Sequence, residues 1–438
     1  MSIRRFAAGA AAAALWAMAT PAGAVTEVQW WHAMGGALGQ KLEKIANDFN
    51  ASQSDYKVVP VYKGSYPEAM TAAIAAFRAH QNPTLLQVFE VGTATMMAAR
   101  GAVYPVFELM KAENEPFDPK AYLPAVTSYY TDTNGNLLSF PFNSSTPILY
   151  YNKDAFRKAG LDPSVPPRTW PEVEAAAKKL QAAGLACGLT NEWPSWVLVE
   201  NFSAFHNIPI GTKSNGFGGL DTELTINNPL VEREIAMLAD WQKTKLYDYG
   251  GRTDKAQPKF FSGECGISLG SSAARANILA NAKFDLGYGM LPYFADAKGA
   301  PQNSIIGGAT LWVLKGRPAA EYKGVAKFFT FLSRPETQAW WHQNTGYLPI
   351  TLAAYELSRS QGFYDKNPGA DTAIKQITLN PPTENSKGLR FGSFVQIRDV
   401  IEEELEQAFA GKKTAKEALD SAVKRGNDLL RQFEKANM

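Results

Sequence analysis

The chain has 438 residues, a formal net charge of +2, and 45% hydrophobic residues. This length predicts about two domains, each able to bury a core of its own. The near balance of acidic and basic residues argues against nucleic-acid binding and against electrostatic attachment to a membrane.

The N-terminus has the pattern of an export signal. Arg4 and Arg5 precede a mostly apolar stretch over residues 6–19, and Ala22-Gly23-Ala24 is a small-residue cleavage pattern. The apolar stretch is shorter than the roughly 20 residues that span a bilayer, so residues 1–24 are predicted to be a Sec-type signal peptide. We expect cleavage after Ala24 and a periplasmic protein that is not inserted in the membrane.

Strands and helices alternate in the next part of the chain. Strands are predicted at 25–31, 58–62 and 85–89, and helices follow the first two of them. This order predicts a parallel sheet covered by helices. Ligands bind beyond the carboxyl ends of the strands in such sheets, where Trp31 and Glu90 fall.

The stretch from 137 to 180 connects this region to a second one. A run of small polar residues over 143–146 is followed by a buried-strand pattern over 148–151. Thr169 and Glu172 then form a capping box, which predicts the start of a helix.

The second region is also predicted to be α/β. Further strands are predicted at 185–190, 263–270, 283–290 and 311–314, and helices at 231–245, 395–409 and 414–436. The chain has two cysteines, Cys187 and Cys265, and both lie in predicted strands. A disulfide and two buried thiols are equally compatible with these positions in an oxidising compartment.

Motifs of catalysis are mostly missing. The sequence has no G-x-S-x-G, no G-x-x-x-x-G-K-[ST] and no H-E-x-x-H, and its four histidines lack partners at motif spacing. We therefore expect no catalytic residues, no metal site and no cofactor.

Features of anion binding are more frequent. Ser144-Ser145, Ser271-Ser272 and Gly307-Gly308 each lie at a strand end or loop-to-helix junction, where hydroxyls and free backbone N–H groups suit phosphate oxygens. A hinge linker, a helix cap and a tight turn are the respective structural alternatives. Arg398 lies in an apolar helix start, and its alternative is an ion pair with Asp399, Glu402 or Glu403 on its own helix.

Sequence blocks throughout the chain resemble the extracytoplasmic solute-binding proteins of ABC importers, of the maltose-binding type, and most closely the glycerol-phosphate-binding members. The blocks are WWHAMGG, FEVGTATMM, PFNSSTPILYYNKDAF, IIGGATLWV, TGYLPIT, GFYDKNPGADTA and RGNDLLRQFEKA. The resemblance implies an α/β, two-lobed periplasmic-binding-protein fold in which each lobe is a mostly parallel sheet flanked by helices, joined by hinge crossovers. It implies an N-terminal lobe of 25–137 plus 286–344, to which the strands at 283–290 and 311–314 return, and a C-terminal lobe of 138–285 plus 345–438.

The resemblance also implies a set of ligand-binding residues. The positions that match phosphate-binding residues are Ser145, Ser271, Gly308, Tyr347 and Arg398. The positions that match the glycerol end are Tyr66 and Glu90, and Trp170 matches an aromatic residue of the cleft. Structural alternatives are hinge packing for Tyr347, a helix cap for Glu90 and a hydrophobic staple for Trp170.

The implied function is capture of sn-glycerol 3-phosphate, and of glycerophosphodiesters such as glycerophosphocholine, by closure of two lobes. The implied partners are the ABC permease subunits and their ATPase, and a monomer is expected. One alternative is a sugar receptor of the same fold that uses Trp30, Trp31, Trp170 and Trp193 as stacking platforms. The other is a secreted phosphodiesterase.

Overall fold

The computed structural model describes residues 25–99, 101–132 and 134–438. The predicted signal peptide over 1–24 lies outside these residues. The strands are β1 (Thr26–His32), β2 (Tyr56–Tyr62), β3 (Leu85–Phe89), β4 (Val103–Tyr104), β5 (Phe140–Ser145), β6 (Pro147–Asn152), β7 (Cys187–Asn191), β8 (Cys265–Ser271), β9 (Leu286–Gly289) and β10 (Gly307–Leu314).

Helices cover both sheets. The α-helices are α1 (Gly36–Ser52), α2 (Tyr66–Arg78), α3 (Thr93–Ala98), α4 (Val106–Ala112), α5 (Pro124–Tyr130), α6 (Lys153–Lys158), α7 (Trp170–Ala182), α8 (Phe202–Phe205), α9 (Thr212–Asn215), α10 (Pro229–Lys243), α11 (Gln257–Phe261), α12 (Ala274–Asn281), α13 (Ala319–Leu332), α14 (Pro335–Thr345), α15 (Leu352–Ser360), α16 (Phe363–Lys366), α17 (Thr372–Ile377), α18 (Phe394–Phe409) and α19 (Ala415–Asn437). Short 3-10 turns cover Glu90–Gly92 and Pro119–Ala121, and a π-helix covers Ser195–Asn201.

The strands form two sheets, one in each lobe. The first has the order β2-β1-β3-β10-β4, with β5 also paired to β10, and the second has the order β7-β8-β6-β9. The predicted strand–helix alternation is confirmed in the first sheet, where β1 pairs in parallel with β2 and β3. Helix α1 buries an apolar face that includes Leu42, Ile45 and Phe49 and packs against the sheet.

Both sheets are mixed, whereas mostly parallel sheets were expected. Strand β10 is antiparallel to β3 and β5, and β6 is antiparallel to β8 and β9. The reason is the direction from which the chain arrives: β6 and β10 each enter their sheet from the other lobe. Each therefore starts at the edge where β1, β3 and β8 end.

The strand pairing also places the lobe crossovers at residues other than those predicted. Strand β5 belongs to the first sheet, so the first crossing lies at Thr146 instead of 137/138. The prediction that residues 283–290 return to the first lobe is wrong, because β9 pairs with β6 in the second sheet. The second crossing thus falls within 290–306, and β10 does return as predicted.

The two cysteines lie side by side on neighbouring parallel strands. Cys187 and Cys265 are register partners on β7 and β8, with Cα atoms 4.6 Å apart, and a disulfide joins them. The structure thus resolves the choice that the sequence left open. In the described residues, no helix is long and apolar enough to cross a membrane.

Candidate ligand-binding site

A cleft of about 320 Å³ lies where strand ends of the two sheets meet. Every predicted ligand-binding residue except Trp170 lines it. These residues are Tyr66, Glu90, Ser145, Ser271, Gly308, Tyr347 and Arg398. They come from seven separate parts of the chain in both lobes, so only the folded topology brings them together.

Strand register explains how the small residues converge. Ser145 at the end of β5 is the register partner of Gly307 on β10, and Ser271 at the end of β8 is the partner of Pro147 at the start of β6. Because β5 and β6 are separated only by Thr146, Ser145 and Ser271 reach the same cleft from different sheets. Each offers a hydroxyl to a bound anion.

The structure distinguishes the members of each adjacent pair. Ser145, Ser271 and Gly308 line the cleft, whereas their neighbours do not. The Ser144 and Ser272 hydroxyls are buried and have no hydrogen-bond partner among the residues that the structure describes, and Gly307 packs against the Trp196 ring.

Gly308 has a conformation that other residues rarely adopt. Its φ is +91°, and a Cβ at this position would overlap the carbonyl oxygen of Asn143. The missing side chain lets β10 approach β5 closely and leaves main-chain atoms facing the cleft. The strand packing itself thus requires a glycine here, and a contact of its backbone with a ligand stays a prediction.

Two tyrosines line the cleft, each stacked on another aromatic ring. Tyr66 is parallel to Phe89, with 5.2 Å between ring centroids, and its hydroxyl accepts a hydrogen bond from the Asn143 amide at 3.0 Å. Tyr347 is stacked on Trp341 at 5.7 Å. Burial raises the pKa of Tyr66 well above its ordinary value and that of Tyr347 to about 12, so both keep a hydroxyl proton to donate.

Arg398 is held by two carboxylates from other elements. Its Nε and Nη2 donate to the two oxygens of Glu200, both at 2.7 Å, and Nη2 also donates to Glu90 at 2.5 Å. All three side chains are at least nine-tenths buried. The structural alternative, a pair with Asp399, Glu402 or Glu403 on the same helix, is therefore not what the structure contains.

The pairing leaves part of Arg398 available to a ligand. No residue that the structure describes accepts from Nη1, and the side chain lines the cleft. Burial disfavours its charge, but Glu200 and Glu90 outweigh burial and raise the pKa of Arg398. Burial likewise raises the pKa of Glu90 against the attraction of Arg398. The guanidinium is thus charged, held in a fixed orientation and flanked by two acidic side chains.

The prediction that Trp170 lines the cleft is wrong. Its ring is 2% exposed and packs on Trp241 and Phe294, beneath the first turn of α7. The capping box at Thr169 fixes where this helix begins, and the ring at its first position is buried in the core and absent from the cleft lining. Trp193 and Trp196 line the cleft instead, and Trp193 lies 6.4 Å from Tyr66 between ring centroids.

Sequence reasoning missed a further acidic residue of the cleft. Glu192 directly follows β7, lines the cleft and is only 1% exposed. Burial raises its pKa to about 8, against a hydrogen bond from Gln257 that lowers it. Its position at a strand end was the available signal, although Glu90 was the only such carboxylate predicted.

The first turns of two helices also face the cleft. Leu38 in the first turn of α1 and Met34 just before that helix line one side, and Ala273 and Ala274 at the start of α12 line the other. The Ala37 N–H donates to the Asn277 side chain at 3.2 Å, so the two helices touch across the lobes. The positive end of the helix dipole at each of these starts favours an anion between them.

The comparisons place the chain in a class of proteins. The chain belongs to the bacterial extracellular solute-binding protein family, whose model matches residues 35–339. It is 54% identical over 415 residues to the sn-glycerol-3-phosphate-binding periplasmic protein UgpB of Yersinia pseudotuberculosis, with 94% of each chain covered. It is 53% identical over 428 residues to the protein of that name from Pectobacterium atrosepticum, which covers 98% of this chain and 96% of that one.

Solved structures confirm the two-lobed fold. UgpB of Mycobacterium tuberculosis in complex with glycerophosphocholine matches 93% of this chain and 98% of its own, with a TM-score of 0.76 and 22% identity. The GacH receptor of Streptomyces glaucescens matches 93% and 99%, with a TM-score of 0.77 and 18% identity. At this level of identity the likeness concerns the fold alone.

Proposed function

We propose that this protein is the periplasmic binding component of an ABC importer, which captures sn-glycerol 3-phosphate and glycerophosphodiesters such as glycerophosphocholine. The observation that carries the proposal is the convergence of Ser145, Ser271, Gly308, Tyr347 and Arg398 on one cleft. Hydroxyls, main-chain atoms and a guanidinium are groups that hold a phosphate ester. The names of the relatives, which are 53–54% identical over nearly the whole chain, support the same ligand class.

The charges divide the cleft into two ends. Glu90 and Glu200 surround Arg398, and two carboxylates would repel a phosphate placed directly on that guanidinium. We therefore place the phosphate nearer Ser145, Ser271 and the start of α12. The glycerol hydroxyls then lie toward Glu90 and Arg398, where Nη1 donates and a carboxylate accepts. This arrangement revises the expectation that Arg398 holds phosphate oxygens directly.

Closure of the lobes would complete the site. Glu90 and Tyr66 belong to the first lobe, whereas Ser271, Arg398 and Trp193 belong to the second. A ligand that touches both halves stabilises the closed arrangement because only there does it make both sets of contacts. The signal peptide would direct export to the periplasm, where the protein would act as a monomer. The closed, ligand-bound form would deliver the ligand to the permease subunits and their ATPase.

Calorimetric titration tests the proposal against the sugar-receptor alternative. We expect binding of sn-glycerol 3-phosphate and glycerophosphocholine and none of maltose. Ser271→Ala should weaken binding by about tenfold or more, because a hydrogen bond to a charged group is worth about 1.5–3 kcal/mol. The matched control, Ser272→Ala, removes a buried hydroxyl that has no hydrogen-bond partner in the described part of the chain, so it should leave affinity within about twofold.

Two results would count against this function. Tight maltose binding with no response to either phosphate ester would favour the sugar receptor, whose stacking platforms would then be Trp193 and Tyr66. Release of choline during incubation with glycerophosphocholine would favour the phosphodiesterase.

A further inference from the structure

The cleft contains a buried carboxyl group with no cation to balance it. Glu192 extends β7 beside the end of β8, where its N–H donates to the Leu269 carbonyl at 2.9 Å. Because β7 and β8 are parallel, Glu192 and Ser271 reach the same edge of the sheet. Among the described residues, Glu192 forms no ion pair, and burial is the main influence on its ionisation.

Its two oxygens have different surroundings. Oε2 accepts a hydrogen bond from the Gln257 side chain at 3.0 Å. Oε1 lies against Gly270, where any side chain would collide with it, and it has no hydrogen-bond partner in the described part of the chain. Since Gly270 precedes Ser271, Oε1 lies beside the end of the cleft where we place the phosphate.

A hydrogen-bond relay fixes the orientation of this group. Gln257 donates to Glu192 and accepts from Asn277 at 3.1 Å, and Asn277 in turn accepts from the Ala37 N–H of the first lobe. The direction of donation along the relay keeps Oε2 an acceptor. A proton on Glu192 therefore resides on Oε1, the oxygen that is free to contact a ligand.

The charged groups nearest to Glu192 favour its neutral form. Asp254, in the turn before α11, adds to the negative potential at Glu192, and neighbouring Lys255 extends to the exposed surface of the cleft. On β6, Tyr150 carries only a hydroxyl. On α12, Arg275 is directed to Tyr288 and Asn367 instead.

We infer that Glu192 is a further ligand-contacting residue, which donates a hydrogen bond from its neutral carboxyl group to a phosphate oxygen and so favours phosphate esters over uncharged ligands. This inference rests on the proposed function, because it needs an anion at the Ser271 end of the cleft. A neutral carboxyl donates without adding repulsion, whereas a carboxylate would oppose the anion. Binding therefore takes up a proton wherever free Glu192 is partly ionised.

The sign and size of the linkage follow from the pKa of about 8 in the free protein. The phosphate raises this pKa, so affinity is greatest below pH 8 and falls as the pH rises above it. We expect roughly tenfold weaker binding at pH 9 than at pH 7, and uptake of about half a proton at pH 8. Glycerophosphocholine is a suitable probe because its phosphodiester and quaternary ammonium do not titrate in this range.

The test is calorimetric titration of the full mature chain with glycerophosphocholine at pH 7, 8 and 9. At pH 8 it is repeated in two buffers with different ionisation enthalpies, which gives the proton count. Glu192→Gln retains a neutral donor, so it should bind within about threefold of the parent at pH 7 but show neither proton uptake nor the loss at pH 9. Glu192→Met has no donor and should bind at least tenfold more weakly.

A second buried glutamate is the matched control. Glu234 on α10 is 1% exposed, burial raises its pKa well above the ordinary value, and it does not line the cleft. Glu234→Gln should leave both affinity and proton uptake unchanged. Thermal unfolding of each variant distinguishes lost binding from lost folding.

The remaining outcomes contradict one proposal or both. If the parent binds the diester without proton uptake, or Glu192→Met binds as tightly as the parent, the role of Glu192 is overturned while the proposed function stands. Proton release, with affinity that increases with pH, would instead mean that an ionised Glu192 pairs with the ammonium group. If the parent does not bind the diester or sn-glycerol 3-phosphate, both proposals are wrong.

Discussion

Replacement of Arg398 by methionine tests whether the buried charge cluster at the cleft is balanced by this one cation. The side chains of Arg398, Glu90 and Glu200 are only 8%, 4% and 1% exposed. Removal of the cation leaves two buried carboxylates close together with no partner charge. Breaking a buried pair in this way costs about 3–5 kcal/mol, so Arg398→Met should lower the free energy of unfolding by about that amount at pH 8.

The loss of stability in Arg398→Met should depend on pH in a defined direction. Burial and the neighbouring Glu200 already raise the pKa of Glu90 against the attraction of Arg398, so loss of the guanidinium raises the pKa of Glu90 further above its unfolded value. A group with a raised folded-state pKa contributes its full stability below the unfolded pKa and loses it as the pH rises through the folded value. The variant should therefore be closer to the parent at pH 5 than at pH 8.

Urea unfolding at both pH values measures this effect, and a double variant supplies the control. Glu200→Gln together with Arg398→Met removes one of the stranded charges, so it should be more stable at pH 8 than Arg398→Met alone. If Arg398→Met unfolds like the parent at both pH values, the three side chains are solvated in solution and the reasoning fails. The Arg398→Met variant should also lose binding of sn-glycerol 3-phosphate, because the Nη1 donor is removed.

The other predictions concern backbone, covalent and aromatic features of the site. Gly308→Ala should lower the free energy of unfolding by about 1–3 kcal/mol and weaken ligand binding, because the φ of residue 308 is +91° and a Cβ there would overlap Asn143. Unchanged ligand affinity in calorimetry and unchanged urea unfolding would contradict this. Reduction of the Cys187–Cys265 disulfide should lower the free energy of unfolding by up to about 4 kcal/mol, because the disulfide closes a loop with a sequence separation of 78. Urea unfolding with and without reductant measures this, and equal midpoints would refute the prediction. Trp193→Ala should weaken glycerophosphocholine binding several-fold in calorimetry, because Trp193 lines the cleft. Trp170→Phe should lower the melting temperature and leave affinity unchanged, because Trp170 is buried in the core. The opposite pattern would mean that Trp170 contacts the ligand.

Local patterns predicted much of the fold and part of the site. The strand–helix alternation of the first region and the capping box at Thr169 are confirmed, because these signals act within a few residues of chain. The resemblance supplied the candidate ligand residues, and the cleft gathers all of them but Trp170. That tryptophan was misplaced because a helix start can face either side of a sheet, and the sequence does not state which.

The sequence by itself determined which segments become strands and helices, where strands end in small or polar residues, and the family to which the chain belongs. Tertiary structure alone decided that β9 pairs with β6, that Cys187 meets Cys265, and that Glu200 holds Arg398. The physical reason is range: helix periodicity and capping depend on neighbours along the chain, whereas strand partners and buried charge pairs depend on residues that are far apart in sequence and meet only when both lobes have folded.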